Sequence, residues 1–193
     1  MKSSPAPRDR MIEAAIVLMH RSGYSGVGIN EVLEESGVPK GSMYHYFPDG
    51  KRQVAAEALT AYAGHIVAYI DERLAMGRTP AEKMRFLFQG FEERLKRFEY
   101  RQSCAAGCVS LDLGEGLDSV RAAVEGAFAA YIAVIARHLP FPDKRRARSF
   151  AGLVLTAIEG GYVRGRAEHS ADAFREAGRW LGRLAELEAG AGR

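Results

Sequence analysis

The chain has 193 residues, 47% apolar and 26% charged, with 27 Lys and Arg against 24 Asp and Glu for a net charge of +3. That balance excludes a disordered chain and allows one or two compact units. It also excludes a disulfide scaffold, because the two cysteines, Cys104 and Cys108, stand four apart and would close almost no loop, so both are read as reduced thiols.

No run of about 18 to 20 uncharged apolar residues is read, and MKSSPAPRDR lacks the apolar middle of a secretory signal. A cytoplasmic protein with no membrane partner is therefore expected. Residues 1 to 52 hold seven basic and six acidic side chains, so bulk charge does not decide for nucleic acid. The placement of charges has to.

Helical periodicity begins at once. From Arg8 to Arg21, Ile12, Ala15, Ile16 and Met19 recur on one face, and Gly23 ends the run. Ile29, Val32 and Leu33 mark a short second helix stopped by Gly37. A third starts after Pro39 and ends before Pro48, so two short helices flank the tight link Ser36 to Pro39.

A long helix follows from Lys51 to about Leu74, with Leu59, Tyr62, Ile66, Tyr69 and Ile70 on one stripe. Thr79, Pro80 and Glu82 spell a capping box, with proline where its missing N–H costs nothing. Behind it run Met84, Leu87, Phe88, Phe91, Leu95 and Phe98. A short apolar piece, Cys108 to Leu113, precedes the GEG break, and Leu117 to Leu139 returns to helical spacing until Pro140 and Pro142 close it.

Two last helices span about Asp143 to Arg166 and Ala171 to Leu187, before the tail AGAGR. The first is apolar on two faces, and Gly160, Gly161, Gly165, Gly178 and Gly182 lie in the pair. Each such glycine costs about 1 kcal/mol relative to alanine. Close helix approach in a symmetric four-helix dimer interface is the expected compensation, built on Leu155, Ile158, Gly161, Tyr162, Gly165, Trp180 and Leu184. No strand alternation or repeat is seen, and the fold class is all-α with about nine helices.

The stretch SGVPKGSMYHYFPDGK, residues 36 to 51, carries the chemistry. A short helix pair at a glycine turn, preceded by a bracing helix, is the order of a helix-turn-helix, whose second helix enters the major groove. Met43 and Phe47, four apart, face inward as the anchor. That leaves Lys40, Ser42 and His45 to reach base edges and Tyr44, Tyr46 and Lys51 to reach phosphates. Lys51 also opens the long helix, whose first amides can receive a phosphate.

At these residues the sequence resembles the TetR family of transcriptional regulators, from Gly23 to Lys51. It looks most like the branch containing LmrA and YxaF, where Pro-Lys-Gly-Ser opens the helix and an FP-x-GK turn follows. The resemblance implies base-reading positions at Lys40, Gly41, Ser42 and His45 and phosphate positions at Tyr44, Tyr46 and Lys51. It departs at Val27 and Gly28, where many members carry a threonine or serine that caps the second helix. It also departs at Met43, which stands for leucine.

The resemblance further implies a split into a DNA-binding domain, 1–52, and a helical effector-binding and dimerising domain, 53–193. The expected function is a ligand-responsive repressor that binds a palindromic, double-stranded operator as a homodimer. Its effector is a small molecule, hydrophobic or aromatic. Tyr62, Phe88, Phe91, Cys108, Phe128, Tyr131 and Tyr162 are the expected pocket residues, since rings with polar tips suit such a site.

Rival readings are an all-helical small-molecule-binding enzyme and a structural helical dimer without DNA. No nucleophile, base and orienting acid assemble from the sequence, so no enzyme and no catalytic residue is expected. The cysteines find no paired histidine motif among His20, His45, His65, His138 and His169, so neither a metal nor another cofactor is expected.

Overall fold

The computed structural model describes residues 5–190, and among these every element is helical. The helices are α1 (Pro7–Ser22), α2 (Ile29–Ser36), α3 (Met43–Tyr46), α4 (Lys51–Ala75), α5 (Pro80–Arg97), α6 (Ala105–Ser110), α7 (Asp118–Arg137), α8 (Lys144–Glu168) and α9 (Asp172–Gly190), with one 3-10 turn, Lys40–Ser42, before α3. The all-α expectation of about nine helices holds among the described residues. Part of MKSSPAPRDR and of the AGAGR tail lies outside them.

Three elements differ from the sequence reading. The third helix, expected from after Pro39 to before Pro48, is a 3-10 turn followed by the four residues of α3. The apolar piece expected at Cys108 to Leu113 is a helix that starts earlier, at Ala105, because Ala105, Ala106 and Val109 are its buried face while Leu111 is 85% exposed. Phe98 ends rather than continues the α5 stripe, capping the helix on the surface. In addition, α7 is long and apolar enough to cross a membrane by length and composition alone, with a mean hydropathy of 1.5 over its window. Its buried residues, among them Val120, Val124, Tyr131 and Ile135, recur at helical spacing, and its exposed Ala122, Gly126, Ala129 and Ala133 are small. That is a helix packed on one side.

Contacts divide the chain into two units, neither continuous in sequence. The first gathers residues up to Gly64 with Cys104–Ala127. Its core is built from Met11, Met19, Val32, Met43, Phe47 and Leu59, with Ala105 and Val109 of α6 added. Three contacts tie the α6 segment in: the Cys108 thiol donates to the His20 carbonyl at 3.8 Å, the Ser25 N–H to Asp112 at 3.0 Å, and Arg52 to the Gly116 carbonyl at 3.3 Å.

The second unit is His65–Ser103 with residues from Phe128 onward. The capping box forms as the sequence spells it. Thr79 Oγ1 accepts the Glu82 N–H at 3.2 Å, and Glu82 accepts the N–H groups of Arg78 and Thr79 at 2.9 and 3.3 Å. Those backbone hydrogen bonds hold the Glu82 carboxyl below its ordinary pKa.

In this unit α9 lies closely on α5 and α8, and glycine makes that approach possible. A Cβ on Gly161 would come 2.6 Å from the Phe174 ring, and one on Gly178 would come 2.9 Å from the Phe88 Cβ. The close approach expected of these glycines is therefore made within the chain's own fold. Gly160, in contrast, would meet nothing within 4 Å.

Candidate nucleic-acid interface

The turn between α2 and α3 is fixed by backbone chemistry. Gly37 takes a left-handed conformation, φ 62° and ψ 28°, which only glycine adopts at little cost. Its N–H donates to the Glu34 carbonyl at 3.2 Å, and the Val38 N–H to Leu33 at 3.3 Å, so the end of α2 is satisfied. Pro39 then cannot continue a helix of its own and caps the next turn, where the Ser42 N–H donates to the Pro39 carbonyl at 3.0 Å.

At the N-terminus of α2, Gly28 stands where a hydroxyl side chain is common in the family it resembles. The Gly28 N–H donates to Glu31 at 2.7 Å, so half of a capping box forms without one. No side chain caps the first α2 amides.

The third helix has only four residues and cannot hold itself. Met43, 1% exposed, and Phe47, 0% exposed, bury its inner side, with the Arg8 guanidinium 5.4 Å from the Phe47 ring centre. Arg8 is itself paired with Glu57. The opposite side carries Lys40, Gly41, Tyr44 and His45 exposed and Ser42 and Tyr46 half-buried. Tyr44 is 70% exposed, and the His45 and Tyr46 rings meet edge to face at 4.9 Å.

After α3, Gly50 turns the chain with φ 64° and its carbonyl accepts the Val54 N–H at 3.1 Å, opening α4. Lys51 stands in the first turn, half-buried, with its ammonium 4.3 Å from the centre of the Tyr24 ring. Burial holds the Lys51 pKa below its ordinary 10.5, opposed by the charges of Asp112 and Glu31. Burial likewise raises the Tyr24 hydroxyl, opposed by Arg52.

Of the seven residues named from the sequence, Lys40, Gly41, Tyr44 and His45 are exposed and Ser42, Tyr46 and Lys51 half-buried, and what supports them was missed. Tyr24 orients the Lys51 amine, Asp112 ties the Ser25 backbone, and Arg52 adds a second cation to the opening turn of α4. Only the Lys-Arg pair at a helix start, unfavourable against the helix dipole unless an anion is near, was a readable signal.

The residues expected to line one effector pocket fall in different places. Tyr62, edge-on to His20 at 4.5 Å, and Cys108 belong to the first unit. Phe88, Phe91, Phe128, Tyr131 and Tyr162 belong to the second. There Phe91 and Phe174 stack at 6.2 Å between centres, Tyr162 meets both edge to face at 6.0 and 5.2 Å, and Phe88 joins Phe174 at 6.5 Å. These rings fill the interior by packing on one another. A groove of about 480 Å³ does open in the second unit between α5 and α9, and Phe88 alone of the seven borders it.

Of the residues expected at a dimer interface, Leu155, Ile158, Gly161, Tyr162 and Gly165 are buried within their own chain. The reason is the two-sided apolarity of α8: one side serves α5 and α9, and Gly165 would meet Leu95 at 2.4 Å if it carried a Cβ. The apolar side chains left outside are Leu153 and Val163 of α8 with Trp180, Leu184 and Leu187 of α9. Trp180 and Leu184 are thus exposed, at 58% and 38%.

Comparison with known proteins gives two family matches. Residues 11–58 match the bacterial regulatory proteins of the tetR family, and residues 80–180 match the C-terminal domain of LmrA/YxaF-like transcriptional regulators. The HTH-type transcriptional regulator Rv0196 of Mycobacterium tuberculosis is 32% identical over 170 residues, covering 83% of this chain and 84% of its own length. YxaF of Bacillus subtilis, also an HTH-type transcriptional regulator, is 30% identical over 84% of this chain and 86% of its own. Among solved structures, regulatory protein TetR from Rhodobacter sphaeroides superposes with a TM-score of 0.80 at 25% identity, covering 92% of this chain and 97% of that one. These matches are to regulators, not enzymes.

Proposed function

This chain belongs to the TetR family of transcriptional regulators, and we propose that it is a repressor that binds a palindromic operator as a homodimer and leaves it when a small-molecule effector binds. One observation carries the DNA-reading part. The segment of the 3-10 turn and α3 buries Met43 and, just past the helix, Phe47, and turns Lys40, Tyr44 and His45 outward, spending its surface on hydrogen-bonding tips.

In this reading Lys40, Gly41, Ser42 and His45 meet base edges, and Tyr44, Tyr46 and Lys51 hold phosphates. Residues 1–52 form the reading head, and 53–193 dimerise and take up the effector, a hydrophobic or aromatic molecule. Dimerisation through α8 and α9 is supported by the exposed Leu153, Val163, Trp180, Leu184 and Leu187. Two heads related by a two-fold axis read half-sites about 34 Å, or a multiple, apart. An effector that prefers wrongly spaced heads weakens operator binding by the same coupling with which the operator weakens it.

The test is a gel shift at fixed salt with DNA from the promoter of the chain's own gene. Lys40→Ala and Ser42→Ala should change sequence preference, whereas Tyr44→Phe should weaken all operators alike. Undiminished and equally selective binding by all three variants refutes the assignment.

A further inference from the structure

The groove between α5 and α9 has an unusual lining. Four arginines, Arg85, Arg175, Arg179 and Arg183, border it against one acid, Glu92. Glu92 is already shared by Lys96 at 2.5 Å and Arg175 at 2.6 Å, and Arg175 also reaches Asp172. Arg85, Arg179 and Arg183 meet no carboxylate within ion-pair distance among the described residues. Arg179 and Arg183 lie 5.6 and 5.2 Å from the centre of the Trp180 ring, and Arg85 4.7 Å from that of Phe86.

Like charges gathered on one rim cost energy unless an anion joins them. Arginine suits a carboxylate better than any other side chain does, through two parallel N–H donors. Below the rim the surface is of another kind: Ala81, Phe88, Phe174 and the bare backbones of Gly178 and Gly182. These rings and glycines are covered by the chain's own packing, so the apolar surface open to a ligand is Ala81 with the aliphatic stems of Arg85, Arg179 and Arg183, and the volume of about 480 Å³ is that of a small-molecule site.

We propose that this groove binds a small amphiphilic anion, a carboxylate carried on an aromatic or acyl body. The guanidinium groups of Arg179 and Arg183 clamp the carboxylate, Arg85 adds to the field, and the body lies along the groove against Ala81 and the arginine stems. The proposal names a chemical class for the effector and rests on the effector reading only for its regulatory consequence. Of the seven residues expected to line a pocket only Phe88 borders it, which makes it a different site from the ring-lined pocket expected from the sequence.

The chain carries its own reporter, since Trp180 is its one tryptophan and stands beside both clamping arginines. The full-length protein is titrated with 4-phenylbutyrate and with octanoate, read by Trp180 emission and by calorimetry. The uncharged 4-phenylbutanamide is the control ligand. Saturable binding of the carboxylates is expected, with the amide weaker by about tenfold or more, the effect of losing a charged hydrogen-bond partner. Arg179→Gln and Arg183→Gln should each weaken the carboxylates by a similar factor while Lys144→Gln does not, all three unfolding at the wild-type temperature.

Failure of both carboxylates to bind overturns the proposal, as does equal binding of the amide or undiminished binding by the two arginine variants. A parallel gel shift separates the two readings. An operator complex that survives saturating phenylbutyrate upholds the site and removes its role as effector site. A chain that shifts operator yet binds neither carboxylate loses the site and keeps the DNA reading.

Discussion

Lys51 offers the sharpest quantitative test of the DNA reading. Its ammonium is held 4.3 Å from the centre of the Tyr24 ring, so charge and position can be removed separately. Lys51→Ala deletes one phosphate contact per head, and each such contact contributes about 0.9 to the slope of log affinity against log salt. A dimer then loses about 1.8. Between about 50 and 200 mM salt the wild type should lose about twelvefold more affinity than the variant, the fourfold change in salt raised to that power. Tyr24→Leu keeps the charge but removes its seat. At about 0.5 to 1 kcal/mol for a partly exposed cation–π contact, two heads lose about 1 to 2 kcal/mol, or about five- to thirtyfold in affinity, with the salt slope unchanged. Fluorescence anisotropy on labelled operator across that salt range reads both quantities. An unchanged slope in Lys51→Ala refutes the phosphate role, and a changed slope in Tyr24→Leu refutes the separation of charge from position.

Other outcomes follow from the packing. Gly178→Ala should destabilise the chain by about 1 to 3 kcal/mol in urea unfolding, because its Cβ meets the Cβ of Phe88 rather than a flexible side-chain end. Asp71 accepts from Arg137 at 2.7 Å and pairs with His138 Nε2 at 2.6 Å, and these hydrogen bonds, that from His138 foremost, hold its carboxyl below the ordinary 3.8. A depressed carboxyl stabilises the fold above that ordinary value and loses the effect as pH falls through the folded one. The melting temperature of the wild type should thus exceed that of Asp71→Asn near neutral pH, with the gap closing in acid. Val163→Glu and Leu184→Glu should leave helicity intact and give monomers by sedimentation, since both side chains are exposed in the single chain.

The helices were legible because their signals are local. Thr79 and Glu82 sit three apart in the sequence and cap one helix end, Gly37 and Pro39 spell a turn, and Met43 and Phe47 are spaced for one face. The outward placing of Lys40, Tyr44 and His45 followed from the same periodicity by subtraction. What stayed hidden depends on partners far along the chain. Nothing near Gly161 announces that Phe174 will fill its missing side chain, and nothing near Tyr162 tells whether its ring faces Phe91 or a second copy. A helix apolar on two sides states that two surfaces will be covered. It does not state by what, and the arginine row of α9 is no easier, since Arg85 joins it only once α5 is laid alongside.

The same distinction bears on what a DNA-reading head is. A four-residue helix has too few internal hydrogen bonds to persist alone, so the geometry of Lys40, Tyr44 and His45 is set by whatever holds Met43, Phe47 and the α1–α2 connection. Part of that support is remote. Asp112 accepts the Ser25 N–H, its charge acts on Lys51, and the backbone at Gly116 receives Arg52. Both groups on α4, the half-buried ammonium of Lys51 and the guanidinium of Arg52, therefore feel a segment that lies about sixty residues downstream in sequence. A change in the turn after α6 alters the hydrogen bond at Ser25 and the field at Lys51 together, without touching a residue proposed to meet DNA. On the proposed reading the phosphate grip is in this sense a property of the whole first unit.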